Sequence, residues 1–307
     1  MDNLVVEEIA TPTPAAGEAL VRVHAAGITR GELDWPVDRL PAIPSYELSG
    51  TVVALGEGAV GVAPGQAVCA LTDFDRDGVA AEYAAVPAER LALKPSRLND
   101  AESAALPLAA LSAMQGLFDH GRLQAGQRVL VLGAAGGVGM FAVQLASLRG
   151  AYVIASTSAE NVDAVRALGA HEVVDSKAVD FPAVEPVHLV FDTAGGDRLA
   201  RSVSLLEQGG RLVSVAEEPP RDLCAERGVE GMHFVVEPNR VQLGELTGLA
   251  DQGLLRVLVG ATYPLADARK AFERSLARGG RGKVVLMVVG GDGRTGEGAA
   301  SAGAMGH

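Results

Sequence analysis

The chain has 307 residues, 48% of them hydrophobic and 21% charged, enough to bury a sizeable core. Its formal net charge of -12 weighs against a nucleic acid or an anionic membrane surface as the main partner. Two cysteines far apart in sequence, Cys69 and Cys224, exclude a disulfide framework and a multi-cysteine zinc site.

In chain order, residues up to about 95 read as short strands and turns. Glu18 to His24 alternates polar and apolar residues, as a half-buried strand does. Leu48 to Leu55, Ala67 to Leu71 and Glu82 to Val86 are further strands, with Val62-Ala63-Pro64-Gly65-Gln66 as a turn. The texture changes at Asn99-Asp100-Ala101-Glu102, a helix start. Helices are predicted at Ala101 to Leu106 and Leu108 to His120. Strands then alternate with helices. The predicted strands are Arg128 to Leu132, Ala151 to Ala155, Glu172 to Val174, Val187 to Asp192, Arg211 to Val215 and His233 to Val236. The helices are Gly137 to Leu148, Glu160 to Leu168, Asp197 to Leu206 and Asn239 to Gln252. This alternation is that of a doubly wound parallel sheet. A helix from Ala266 to Leu276 and a strand from Lys283 to Val289 follow, and residues 290–307 read as a disordered Gly/Ala-rich tail. The first residues lack the basic and apolar regions of a signal peptide, and no run of about 18 apolar residues occurs, so a cytoplasmic protein with no membrane association is expected.

The most informative stretch is Val129 to Gly139. An apolar strand runs into Gly133-Ala134-Ala135-Gly136-Gly137-Val138-Gly139 and then into a helix. Such a turn lets backbone approach a pyrophosphate at a helix N-terminus, so a Rossmann-type dinucleotide site is predicted. The plain alternative is a tight strand-to-helix turn without a ligand. NAD sites place an acid about 20 residues on. Here the second strand ends Ser156-Thr157-Ser158, with no acid. Hydroxyls there suit a 2′-phosphate and favour NADPH over NADH. Glu160 would repel that phosphate, but Thr157 to Glu160 also fits a capping box.

The stretches Val23-His24-Ala25-Ala26-Gly27, Ala105-Leu106-Pro107-Leu108-Ala109-Ala110-Leu111, Gly133 to Gly139, Asp192-Thr193-Ala194-Gly195-Gly196 and Arg281-Gly282-Lys283-Val284-Val285 together resemble the medium-chain dehydrogenase/reductase superfamily. The likeness is greatest to its zinc-independent quinone oxidoreductase branch and covers about residues 4 to 289. It implies an α/β fold, a Rossmann-type doubly wound parallel sheet plus a β-rich GroES-like domain. On that reading residues 1–97 form the GroES-like catalytic domain, completed by about 257–289, and 98–256 the NADP-binding domain. Zinc-dependent relatives carry a Cys after the first Ala-Gly element and a Gly-His-Glu further on. Here the matching stretches read Gly27-Ile28-Thr29-Arg30 and Ser45-Tyr46-Glu47, so no zinc is expected.

The resemblance implies hydride delivery from NADPH to a quinone or an α,β-unsaturated carbonyl. Tyr46 is the first candidate donor to the acceptor's oxygen, or else an aromatic wall residue. Thr29 and Asp34 are further catalytic candidates, and Trp35 shapes the pocket. Cofactor contacts carried over are Gly133, Ala135, Gly136, Gly137, Val138, Gly139, Ser156, Ser158, Ala194, Phe234, Val235, Val236 and Lys283, the last either near phosphate or simply solvated. The histidines are read as structural. A homodimer is expected. An enone or enoyl reductase serving one secondary metabolite, and a non-catalytic NADP-binding protein, are the alternatives.

Overall fold

The computed structural model describes residues 4–36, 40–177, 184–277 and 280–288. The predicted tail at 290–307 lies outside them. The strands are β1 (Glu18–Ile28), β2 (Glu47–Leu55), β3 (Ala67–Leu71), β4 (Tyr83–Pro87), β5 (Ala92–Leu93), β6 (Arg128–Leu132), β7 (Tyr152–Thr157), β8 (Glu172–Asp175), β9 (Val187–Asp192), β10 (Leu206–Ser214), β11 (Glu230–His233), β12 (Val259–Pro264) and β13 (Lys283–Met287). The helices are α1 (Asp100–Ala104), α2 (Pro107–Met114), α3 (Gly139–Leu148), α4 (Val162–Ala167), α5 (Asp197–Ser202), α6 (Arg221–Arg227), α7 (Arg240–Asp251) and α8 (Ala268–Leu276).

Two sheets carry the fold. The first has seven strands in the order β12-β13-β1-β2-β3-β5, with β4 also on β1. Strand β1 pairs with β2 along one edge and serves two neighbours in turn along the other. Its first half pairs with β4 and its last residues, Ala25 to Ile28, with β13 in antiparallel register, Ile28 opposite Val284. The late strand β13 is thereby returned to the early sheet, and Lys283 comes to lie beside Thr29. Side chains of β1 alternate at its start and are buried continuously from Ala25, where α1 covers it. Asn99 starts α1 with a complete capping box to Glu102.

The second sheet is parallel throughout, in the order β11-β10-β9-β6-β7-β8. In chain order this is the dinucleotide-fold arrangement 3-2-1-4-5-6, whose direction reverses between β6 and β9. Loops leaving those two strands diverge and open a crevice at their carboxyl ends. Helix α2 is buried all round, which marks an internal helix. It packs on α3 and α7 and against β2 and β3, inside one apolar core that draws on both sheets.

The predicted helix Leu108 to His120 keeps α-geometry only to Met114 and continues as a widened π turn, Gln115–His120. Gly116 lies against the Phe191 ring there. The predicted strand His233 to Val236 is displaced to Glu230–His233, because the ladder with β10 forms one turn earlier, where Gly231 fits against Cys224 and Pro219. Helix α6 and strand β12 were not predicted. The first lacks an apolar stripe, and the second contains Gly260 and ends on Pro264. The capping box at Thr157 does not form. Thr157 ends β7, and the Glu160 carboxylate bonds Ser158 and its own N–H, which lowers its pKa.

A Cβ at Gly116 would sit 2.2 Å from the Phe191 ring. Gly116→Ala is therefore expected to cost about 1–3 kcal/mol of stability through overpacking, read as a lower midpoint of thermal or urea unfolding.

Candidate active site

The glycine turn after β6 is built by backbone alone. Gly133 adopts the left-handed region at φ 77. A Cβ at Gly139 would lie 2.2 Å from the Gly133 carbonyl, so only glycine lets α3 start so close to β6. Gly136, Gly137 and Val138 stay part exposed. The Gly136 N–H closes the turn onto the Gly133 carbonyl, which leaves those of Gly137 and Val138 as the N–H groups of the α3 N-terminus that face the crevice. The helix begins at Gly139, two residues later than predicted. Across the crevice the Asp192 carboxylate accepts from the Ala194 and Gly195 N–H groups and the Ser214 hydroxyl, and folds the β9 loop. Burial raises the Asp192 pKa against those three bonds. After β11, Phe234 and Val236 are buried while Val235 is exposed; Phe234 packs on His120, and Glu237 is held by Gln115.

At the end of β7, Ser156 is fully buried and its Oγ has no hydrogen-bond partner. A chain of polar groups follows. Asn161 Nδ2 donates to Ser158 Oγ at 3.1 Å, and Arg281 Nε donates to Asn161 Oδ1 at 3.0 Å. Arg281, just before β13, belongs to a stretch quoted from the sequence but was not named there as a site residue. Its relation to Ser158 spans more than a hundred positions, so spacing gave no signal. The glycine cradle, the orphaned Ser156 hydroxyl and this network fit a dinucleotide.

The second half of the site lies where β1 ends and β2 and β13 begin. Tyr46 is buried and stacked on Trp35 at a ring separation of 5.9 Å. Phe74 closes a three-ring box, 5.4 Å from Trp35 and 5.1 Å from Tyr46. Ser45 holds Tyr46 in place through a strained backbone, at φ 66. Its hydroxyl donates to the Gly27 carbonyl at 2.7 Å and its N–H to Glu32 Oε1 at 3.0 Å.

Behind the box lies a buried charged cluster that the sequence did not reveal. Glu32 also accepts the Thr29 N–H at 2.8 Å. Lys283 is only 6% exposed. Its ammonium pairs with Glu47 Oε1 and donates to Thr29 Oγ1 at 3.0 Å. Glu47 Oε2 takes the Leu108 N–H at the start of α2. The stem of Lys283 lies against Gly137, where a Cβ would come within 2.9 Å of it. Lys283 is thus buried and not solvated. It links the glycine turn to Thr29. Burial pushes the Glu32 carboxyl up to about 8, more than offsetting the bonds from Thr29 and Ser45 and the Lys283 charge.

Among the predicted catalytic residues, Thr29 and Tyr46 border this cluster. Asp34 sits in a short turn, Glu32–Asp34, and is exposed; the buried carboxylate is Glu32, two residues earlier. The histidines serve backbone and neighbours: His171 and His188 accept the N–H groups of Val153 and Arg128, and His24 contacts Asp100. Among the described residues no group of three or more His, Cys, Asp or Glu is arranged to hold a metal ion. The stretches where zinc ligands would be sought offer a threonine already bonded to an ammonium and a tyrosine packed in an aromatic box. That donor set does not fit zinc. No described helix is long and apolar enough to cross a membrane.

Comparison with known proteins agrees with this layout. Residues 15–96 match the alcohol dehydrogenase GroES-like domain, and residues 168–286 match the zinc-binding dehydrogenase family. A probable zinc-binding oxidoreductase, mitochondrial, of Arthroderma benhamiae is 33% identical, over 91% of this chain and 92% of its own. An NADPH-dependent alkenal/one oxidoreductase, chloroplastic, of Arabidopsis thaliana is 31% identical over 94% of this chain and 75% of its own. The solved structure of the quinone oxidoreductase from Coxiella burnetii superposes with a TM-score of 0.82 at 28% identity, covering 91% of this chain and 93% of that one.

The raised Glu32 pKa has a sign. A carboxyl that shifts from 4.5 unfolded to about 8 folded contributes stability that is full below the unfolded value and is lost as pH rises through the folded one. Urea unfolding midpoints are expected to fall between about pH 5 and 9, and Glu32→Gln to flatten that decline.

Proposed function

The chain belongs to the medium-chain dehydrogenase/reductase superfamily, in its quinone-oxidoreductase-like branch, and from that premise we propose that it reduces a quinone or an α,β-unsaturated carbonyl with NADPH and without zinc. The observation that carries this reading is Lys283, whose stem lies on the glycine turn and whose ammonium reaches Thr29 beside the aromatic box. A dinucleotide cradle and a pocket for a flat acceptor are thereby joined through one side chain.

The dinucleotide would be held by Gly133, Ala135, Gly136, Gly137, Val138 and Gly139 at its pyrophosphate. Ala194, Phe234, Val235 and Val236 would line its nicotinamide end, and Ser156 and Ser158 its adenosine ribose. Reduced nicotinamide supplies the hydride when bound. Everything else falls to the chain. Trp35, packed edge-on with Phe74, offers an aromatic wall for a planar acceptor and helps exclude water. The Tyr46 hydroxyl donates to its carbonyl oxygen, where negative charge grows during transfer. Arg281 and Ser158 favour the extra phosphate of NADPH over a bare ribose. The relatives' names include quinone oxidoreductases and an alkenal/one reductase, which supports these two acceptor classes. The chain is further proposed to act in the cytoplasm as a homodimer, β11 being an edge strand free to pair with a second copy.

The test is oxidation of NADPH and NADH against a panel of quinones and enones, with cofactor affinity titrated separately. NADPH is expected to be preferred. Arg281→Ala should weaken NADPH by about tenfold and NADH little, and Tyr46→Phe should lower kcat by about a hundredfold. Tight NADPH binding with no turnover would point instead to the non-catalytic role, and turnover confined to one bulky enone to the specialised reductase.

A further inference from the structure

We propose that Lys283 and Thr29 form a proton-delivery arm, in which the buried ammonium charges the Thr29 hydroxyl to protonate the reduced acceptor; this rests on the reductase reading above. The geometry is directional. An ammonium has donors and no acceptor. At 3.0 Å from Thr29 Oγ1 it fills an acceptor position of that oxygen, so the Thr29 hydrogen must point away from Lys283. Thr29 is part exposed while Lys283 is buried. The hydroxyl is therefore the outer end of the arm and the ammonium its inner end.

Every other contact fixes these two groups. Glu32 holds the Thr29 backbone through its N–H, and the same carboxyl holds Ser45. Glu47 pairs with the Lys283 ammonium, and is itself anchored by the Leu108 N–H. A Cβ at Gly27 would lie 2.7 Å from the Glu47 carboxyl carbon, so a glycine is needed for Glu47 to lie there. A structural ion pair alone would require Glu47 and Lys283 but not a hydroxyl at the ammonium.

The chemistry balances. When the β-carbon of an enone takes up hydride from the reduced nicotinamide, the alkene π pair moves to give an enolate. The Thr29 O–H bond breaks as its proton passes to that enolate. Thr29 takes a proton from Lys283, and the neutral amine regains one from water after the product leaves. For a quinone the same proton goes to the carbonyl oxygen. Thr29 is the group that touches substrate. Lys283 acts through it as a positioning residue.

The enolate has a stable stand-in, the para-nitrophenolate anion, whose absorbance reports its ionisation without cofactor or turnover. The full-length chain is expected to bind the phenolate in preference to the neutral phenol. Thr29→Val should weaken phenolate binding by about tenfold, as loss of a charge-assisted hydrogen bond does, and leave the phenol almost unchanged; Thr29→Ser should retain it. Both variants keep the Lys283–Glu47 pair, so folding is not at stake. Lys283→Met should match Thr29→Val, and the double variant should be no worse than either. In turnover of an enone, Thr29→Val should lower kcat about tenfold with KM nearly constant. Equal phenolate binding by wild type and Thr29→Val, or losses that simply add, overturns the arm. So does enone turnover that Thr29→Val leaves unchanged, with the reductase reading intact. A wild-type chain that oxidises NADPH with no quinone or enone overturns the reductase reading and the arm with it.

Discussion

The buried pair of Lys283 and Glu47 is the interaction on which the site depends. Glu47 opens β2 and lies within reach of the first turn of α2, and Lys283 opens β13. Their contact therefore joins the early sheet, the internal helix and the last strand at one point. A buried ion pair contributes little net stability once desolvation is counted, while loss of one partner costs about 3–5 kcal/mol. Its weight here is positional. It fixes where β13 begins against Thr29 and, through the lysine stem, how the glycine turn sits relative to the aromatic box.

That placement follows from register. Ile28 faces Val284 in the antiparallel pair, so the next residues outward, Thr29 and Lys283, must meet beyond the ladder. Gly282, before the strand, donates to the Ala135 carbonyl within the glycine turn. A Cβ at Gly282 would lie 2.1 Å from the Leu258 carbonyl. The approach of the two sheets is thus set by backbone contacts, and the charged side chain is carried into the gap by them.

The sequence made the cofactor half of this arrangement legible and left most of the acceptor half hidden. A glycine turn works through backbone N–H groups at fixed local spacing, so Gly133, Gly136 and Gly139 announce themselves between an apolar strand and a helix. The parallel strands were readable for the same reason: each is a short buried apolar run, and Arg128–Leu132 and Val187–Asp192 end where expected. Glu32, Ser45, Glu47 and Lys283 act through contacts that span up to 254 positions. No periodicity records such a contact. Residue type alone did not separate Asp34, a catalytic candidate that the short turn leaves exposed, from Glu32, which it buries. Phe234, Val235 and Val236 looked like a strand from their side chains, although the ladder is made by Glu230–His233.

Charge supplies the last constraint. A chain with a net charge of -12 repels a polyanionic dinucleotide at long range, so attraction has to be gathered locally. For a pyrophosphate at the glycine turn, the α3 N-terminus would provide it without any side chain. In the loop after β7, the Glu160 carboxylate is engaged by Ser158 and its own N–H. Arg281 leans over the same loop, 3.0 Å from Asn161 Oδ1 and 3.5 Å from the Glu160 carbonyl. The guanidinium thus bonds neutral oxygens, and among the described residues no carboxylate is paired with it. A cation held by neutral acceptors keeps its charge available to an arriving phosphate, which a cation locked in an ion pair does not. Lys283 shows the opposite arrangement. Its charge is spent on Glu47, and what it retains for chemistry is a proton.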